Sequence, residues 1–190
     1  MKRSMLQSLL LSIVVWIPLG SVTALRAQAA QTHADSLEGL WEGYDGEWGH
    51  VSRQLIALAE AIPAEKYAWR PAPGVRSTSE VFMHIAIANF YLLSTTGLKE
   101  PDLSEDLQNK VTQKAEVLDW LKRSLEAVKT ARAQLKPGDL QKSVTIEHKK
   151  ATVDGIYLRI IVHANEHMGQ LIAYARMNGV VPPWSQPAGH

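Results

Sequence analysis

The sequence predicts an all-α protein, a four-helix bundle, and three observations carry that reading. Apolar residues recur at steps of three and four through four long stretches, connections bearing proline or glycine separate these stretches, and no convincing set of alternating strands competes with them. With 190 residues, 46% hydrophobic and 21% charged, the chain has the length and composition of about one globular domain.

The amino-terminal residues stand apart from that domain. Lys2 and Arg3 precede an apolar run centred on Leu9 to Leu19, and Ala27-Gln28-Ala29 supplies small residues for cleavage. This is the pattern of a secretory signal peptide over residues 1–29, which leaves a helical domain over 30–190. The run is shorter and more interrupted than the roughly 20 apolar residues of a transmembrane helix. An exported protein, periplasmic or secreted, is therefore expected, with no stable membrane span after cleavage; an uncleaved anchor is the alternative. The chain has no cysteine, which excludes disulfides, thiolate ligands and a lipid anchor on cysteine. Cleavage removes Lys2, Arg3 and Arg26 and no acidic residue, leaving 17 basic against 19 acidic, so the formal charge falls from +1 to −2. Such a domain lacks the basic footprint of a nucleic-acid binder.

The first helix is expected to start at Asp35-Ser-Leu-Glu38, where an acidic residue stands in the first turn, and to run to about Ala61. Its stripe is Leu37, Leu40, Trp41, Tyr44, Trp48, Val51, Leu55 and Leu58. Residues 62–74 hold three prolines and end in a glycine, so they form a structured loop. Ser77-Thr-Ser-Glu80 is a capping box ahead of Val81, Phe82, His84, Ile85, Ala88, Tyr91 and Leu92, a second helix that ends near Gly97. Residues 104–135 place Leu107, Val111, Leu118, Leu121, Leu125, Val128 and Leu135 on one side, which predicts a single amphipathic third helix stopped by Pro137-Gly138. A polar connection containing the alternating piece Ser143-Val-Thr-Ile-Glu-His148 leads to a fourth helix from about Thr152 to Asn178, with Gly179 as its cap.

The fourth helix carries His163-Ala-Asn-Glu-His167 on its apolar side. At roughly 100° per residue the two histidines lie about 40° apart, in the direction of Ile156, Ile160, Leu171 and Tyr174. A buried imidazole without partners costs on the order of 1–3 kcal/mol per unsatisfied group, so a pair of them requires something to bind. A metal ion answers that need, because neutral imidazole is a common ligand and an i, i+4 pair reaches one ion from one face. His84, on the stripe of the second helix with Ala88, Tyr91 and Thr95, is the third candidate ligand. His50 falls well over ~100° from its helix stripe and is expected to be solvated, as are His33, His148 and His190. The order His-Ala-Asn-Glu-His is not the protease arrangement His-Glu-x-x-His, since Glu166 precedes the second histidine. Glu166 either orients a ligand histidine, bonds to another helix or is a solvated carboxylate. Tyr67, Trp69 and Trp184 either line a pocket mouth or cap the bundle core.

Several of these pieces resemble one family when taken together. Trp69-Arg-Pro-Ala-Pro-Gly74, Ser77-x-x-Glu80-Val-x-x-His84-Ile, Asn165-Glu-His167-x-Gly-Gln170-Leu and Tyr174-x-Arg-x-Asn-Gly179-x-x-Pro-Pro183, in that order, resemble the DinB-like (DinB/YfiT) superfamily of four-helix proteins from about Leu37 to Trp184. The resemblance implies a divalent metal held by one histidine of the second helix and a His-x-x-x-His pair of the fourth, which map onto His84, His163 and His167. It also implies, for some relatives, transferase or isomerase chemistry with low-molecular-weight thiols; an exported chain would not meet a cytosolic thiol pool.

The expected cofactor is a divalent ion, zinc, nickel or iron, since imidazole suits each. Three histidines leave a coordination position for water or a small-molecule substrate, the arrangement of a catalytic site. Three readings follow: an exported metal-dependent hydrolase or transferase, a non-catalytic metal- or small-ligand-binding helical module, or a structural helical protein, as a homodimer, with its histidines hydrogen-bonded to one another. Glu166, Glu80 and Tyr91 are the candidates for a general base that would separate the first two.

Overall fold

Four apolar stripes meet around one core, and each belongs to a helix of the expected register. The computed structural model describes residues 42–99, 101–104 and 106–186, all of them within the unit Gly39–His190. The leader at 1–29 and the expected helix start at Asp35 lie outside the described residues. The long helices are α1 (Gly43–Ala61), α2 (Thr78–Ser94), α3 (Lys114–Ala133) and α4 (Val153–Met177). Helix α2 packs against α3 and α4, and α1 packs against the same two, so α1 lies diagonally across the bundle from α2, and α3 from α4. Trp48, Leu55, Phe82, Ile85, Leu121, Ile160 and Leu171 fill the centre between them. The all-α bundle is therefore the observed architecture, with a single small hairpin added.

The ends of the helices show why the chain turns where it does. Ser77 caps α2 by accepting from the Glu80 N–H, and the Glu80 carboxylate accepts from the Ser77 N–H at 2.8 Å, which closes the capping box. The loop before it is pinned at both ends. The Tyr67 hydroxyl donates to the Ala59 carbonyl at 2.6 Å, while Thr78 and Ser79 N–H groups donate to the carbonyls of Trp69 and Tyr67. Lys114, the first residue of α3, donates to the carbonyls of Glu60 and Ile62, placing a cation at the carboxyl end of α1. Helix α4 starts on Thr152, whose hydroxyl accepts from Gly155 N–H, and stops at Gly179, whose φ of 75° a side chain would strain. The Val180 and Gly179 N–H groups then satisfy the carbonyls of Ala175 and Arg176.

The structure departs from the expected elements in three places. The first helix, expected to run unbroken from Asp35, begins at Gly43, because Glu42 has a non-helical φ of −84° and ψ of 71°. The single helix expected over 104–135 is broken: one helical turn, Leu107–Lys110, is followed by extended residues before α3 begins at Lys114. Val111 adopts φ −85° and ψ 97° and is buried, so its side chain enters the core only if the chain leaves the helical path there. The polar connection is a two-stranded antiparallel hairpin, β1 (Ser143–Ile146) and β2 (Lys149–Thr152), with Ser143 opposite Thr152 and Ile146 opposite Lys149. Its two turn residues, Glu147 and His148, both have positive φ, as the twist of a two-residue hairpin turn demands. That conformation favours Asn or Gly, so Glu-His gave no turn signal in the sequence. Val144, Ile146 and Ala151 pack against the core.

Glu80 holds both the cap of α2 and the Arg70 guanidinium, at 2.7 Å. A Glu80→Ala variant is expected to lose about 1–2 kcal/mol of unfolding free energy. Urea denaturation followed by circular dichroism measures this, and a change within about 0.3 kcal/mol would show the cap to be dispensable.

Candidate metal centre

Helices α2 and α4 meet at three imidazoles. His84 projects from α2 beside the buried Met83 and Ile85, and His163 and His167 project from α4 one turn apart. His163 is buried and the other two are half-buried. The ring centroids form a nearly equilateral triangle, 4.9 Å from His84 to His163 and 4.6 Å on each of the other sides. One ligand nitrogen from each ring lies within 4.8 Å of the others, and the Nε2 atoms of His84 and His163 are 3.1 Å apart. Two nitrogens bound tetrahedrally to one ion at about 2.0–2.1 Å stand about 3.3 Å apart, so this spacing is close to that of a shared ion.

The tautomer of His167 follows from its neighbours. The Arg76 carbonyl can only accept, so the Tyr174 hydroxyl donates to it, at 3.2 Å. The Gln170 Nε2 group donates to the Tyr174 oxygen at 2.7 Å, which turns the amide Oε1 towards His167 Nδ1, 3.0 Å away. Nδ1 must then carry the proton, and Nε2 keeps its lone pair for the cluster. Trp69 packs edge-on against Tyr174, at 5.2 Å between ring centroids, which fixes the phenol on which the chain depends.

Burial and crowding keep the His84 and His163 rings neutral. Burial lowers His84 to a pKa of about 4, helped by Arg76 and His167 and opposed by the Gln108 amide. Burial likewise lowers His163 to about 4, helped by His167, His84 and Arg159. Neutral imidazoles are what a cation requires. The Nδ1 atom of His163 is buried and finds no hydrogen-bond partner among the described residues, a desolvation cost that attraction to an ion at Nε2 can offset. The three residues therefore fit a divalent ion in number and spacing.

The other candidates are placed differently. Glu166 is exposed and bonds Arg159 on its own helix with both oxygens, at 3.2 and 3.1 Å, and that pairing holds its carboxyl below the usual range. It is thus the solvated carboxylate of the three alternatives and bonds to no other helix. Glu80 is committed to Ser77 and Arg70, and Tyr91 is 40% exposed. Tyr67 is a core residue stacked on Phe82, and Trp184 is partly exposed in the final helical turn, Pro183–Ser185. His50 is half-buried where a solvated ring was expected, and His148 is exposed at the hairpin turn. His33 and His190 lie outside the described residues. Sequence reasoning gave no role to Gln170, although its spacing of three from His167 and four from Tyr174 places all three on one helix face. It also missed Gln108, which the break after Leu107–Lys110 places near His84.

A helical bundle with an interior three-histidine cluster able to hold a metal ion defines the class. The family model described as the DinB superfamily matches residues 47–171, and the chain belongs to that superfamily. No curated protein matches it. Among solved structures, a DinB-like protein from Bacillus cereus is similar at a TM-score of 0.67 and 22% identity, covering 79% of this chain and 97% of that one. A DinB-like protein from Bacillus subtilis follows at 0.59 and 18%, covering 76% and 95%. A conserved protein from Enterococcus faecalis stands at 0.55 and 17%, covering 70% and 94%. At these identities the likeness concerns the fold.

The lowered pKa values set a pH dependence for the metal-free protein. Below the ordinary histidine value of 6.5 the unfolded chain takes up protons that the folded His84 and His163 refuse until about 4. Their contribution is therefore complete above pH 6.5 and is lost as pH falls towards 4. Thermal melts in chelator should show Tm falling across that interval, with a shallower slope in His163→Gln; parallel slopes in the two proteins would contradict this electrostatic account.

Proposed function

We propose that this protein is an exported metal-dependent enzyme, a transferase or hydrolase, whose divalent ion is held by His84, His163 and His167. The observation that carries the reading is the convergence of three imidazoles whose ligand nitrogens lie within 4.8 Å of one another, with His167 held through Nδ1 by Gln170 and, beyond it, Tyr174. Bound there, a divalent ion supplies Lewis acidity and lowers the pKa of water or a thiol at its remaining position. The chain's residues do the rest. His84 and His163 present lone pairs because burial keeps them unprotonated, and Gln170 takes the His167 Nδ1 proton into a hydrogen bond and so fixes the ring.

Glu80 and Glu166 are each paired with an arginine. That favours transfer of a nucleophile that arrives already ionised over a hydrolysis needing a protein carboxylate as base. The same pairing supports the second reading, a metal- or ligand-binding module without turnover. The export proposal rests on residues 1–29 alone. Among the described residues no helix is long and apolar enough to cross a membrane.

The test uses untagged chain from Ala30, loaded with divalent metal and analysed by elemental mass spectrometry. About one metal per chain is expected, and about none in the folded His163→Ala, His167→Ala double variant. Gln170→Ala should retain the site with affinity reduced about 10- to 100-fold. Equal metal content in the native and double-variant chains would defeat the assignment.

A further inference from the structure

A cleft of about 560 Å³ is lined by Arg70, Arg76, Glu80, Gln108, Asn109 and Gln170, and two of these side chains, Gln170 and Gln108, also hydrogen-bond His167 and His84. Gln170 is the residue that bonds His167, and the Arg76 backbone ends the same hydrogen-bonded chain. The cleft and the cluster therefore share a wall. Its charges are unequally used. Arg70 donates to the Val75 carbonyl and to Glu80, so its charge is matched within the protein. Arg76 is exposed, and among the described residues it forms no ion pair.

One unmatched guanidinium among carboxamides defines a ligand chemistry. Arginine presents a planar fork of donors, and the amides of Gln108 and Asn109 add neutral donors that a fully apolar ligand would leave unpaired. A cation would be repelled. The net charge of Arg70, Arg76 and Glu80 is a single positive one, which a singly charged carboxylate balances and a phosphate dianion would exceed beside Glu80. We propose that the substrate handled at the histidine cluster carries a carboxylate, and that Arg76 with Asn109 and Gln108 recognises it as the reacting group enters along Gln170. The inference rests on the metal reading of the histidines and adds the class of substrate to it.

Cobalt-loaded protein tests the two separately, because thiols bound to cobalt change its visible absorption. We would titrate it with 3-mercaptopropionate and 4-mercaptobutyrate and with the uncharged amides of both. At low salt at least one acid should bind about tenfold more tightly than its amide, with the margin shrinking as salt rises. Arg76→Gln should remove that margin by weakening the acids far more than the amides, and Arg76→Lys should keep part of it. Equal binding of acid and amide by the native protein, or an equal loss of both in Arg76→Gln, would overturn the inference while leaving the metal reading intact. A chain that takes up no cobalt would defeat the metal reading and this inference with it.

Discussion

The site depends on a directed hydrogen-bond chain that starts at a backbone carbonyl. Because the Arg76 oxygen has no proton to give, the donor sense of Tyr174, of Gln170 and finally of His167 Nδ1 is set in turn. A ring that could present either nitrogen as an acceptor is thereby left with one, Nε2, and the ring itself lies 4.6 Å, between centroids, from those of both His84 and His163. The chain also ties α4 to the loop before α2, so the element bearing His84 and the element bearing His167 are held by the same bonds. Trp69 against Tyr174 and Glu80 against Ser77 and Arg70 are the packing and capping that keep that loop in place.

Burial has opposite effects on the two properties that matter here. It makes the His84 and His163 imidazoles harder to protonate, which preserves their lone pairs, and it leaves the Nδ1 of His163 without a partner among the described residues. A structural core would gain by replacing such rings with apolar side chains of similar size. Three of them brought together where two helices meet form a group that could hold a metal ion. The hydrogen-bonded alternative accounts for the pair of Nε2 atoms 3.1 Å apart but leaves the buried Nδ1 of His163 without a partner among the described residues.

Much of this was legible in the sequence because helical periodicity is a direct record of which side chains share a face. The stripes of α1, α2 and α4 gave the bundle, Ser77-x-x-Glu80 gave the start of α2, and Gly179 gave the end of α4. The inward face of α4 also named His163 and His167, since their neighbours at Ile160 and Leu171 are core. What escaped depended on contacts between segments. Val111 has the spacing of a helical core residue and leaves the helix because of where the core lies. Glu147-His148 adopts a turn for which it has poor local preference, and the hairpin exists because Val144, Ile146 and Ala151 find the bundle. Glu166 looked available to the site and is held by Arg159, seven residues away on the same helix. The convergence of Arg76 and Gln108 on one cleft depends on a loop meeting the short helical turn Leu107–Lys110, which no spacing records.

The central claim is that the nitrogens of His84, His163 and His167 bind one ion together and leave a position open. X-ray absorption fine structure of the metal-loaded protein tests this most directly. Three imidazole scatterers are expected at about 2.0–2.1 Å for zinc, with the remaining coordination filled by an exchangeable oxygen ligand. A bound metal with fewer than three imidazoles, or with a closed set of protein ligands, would contradict it.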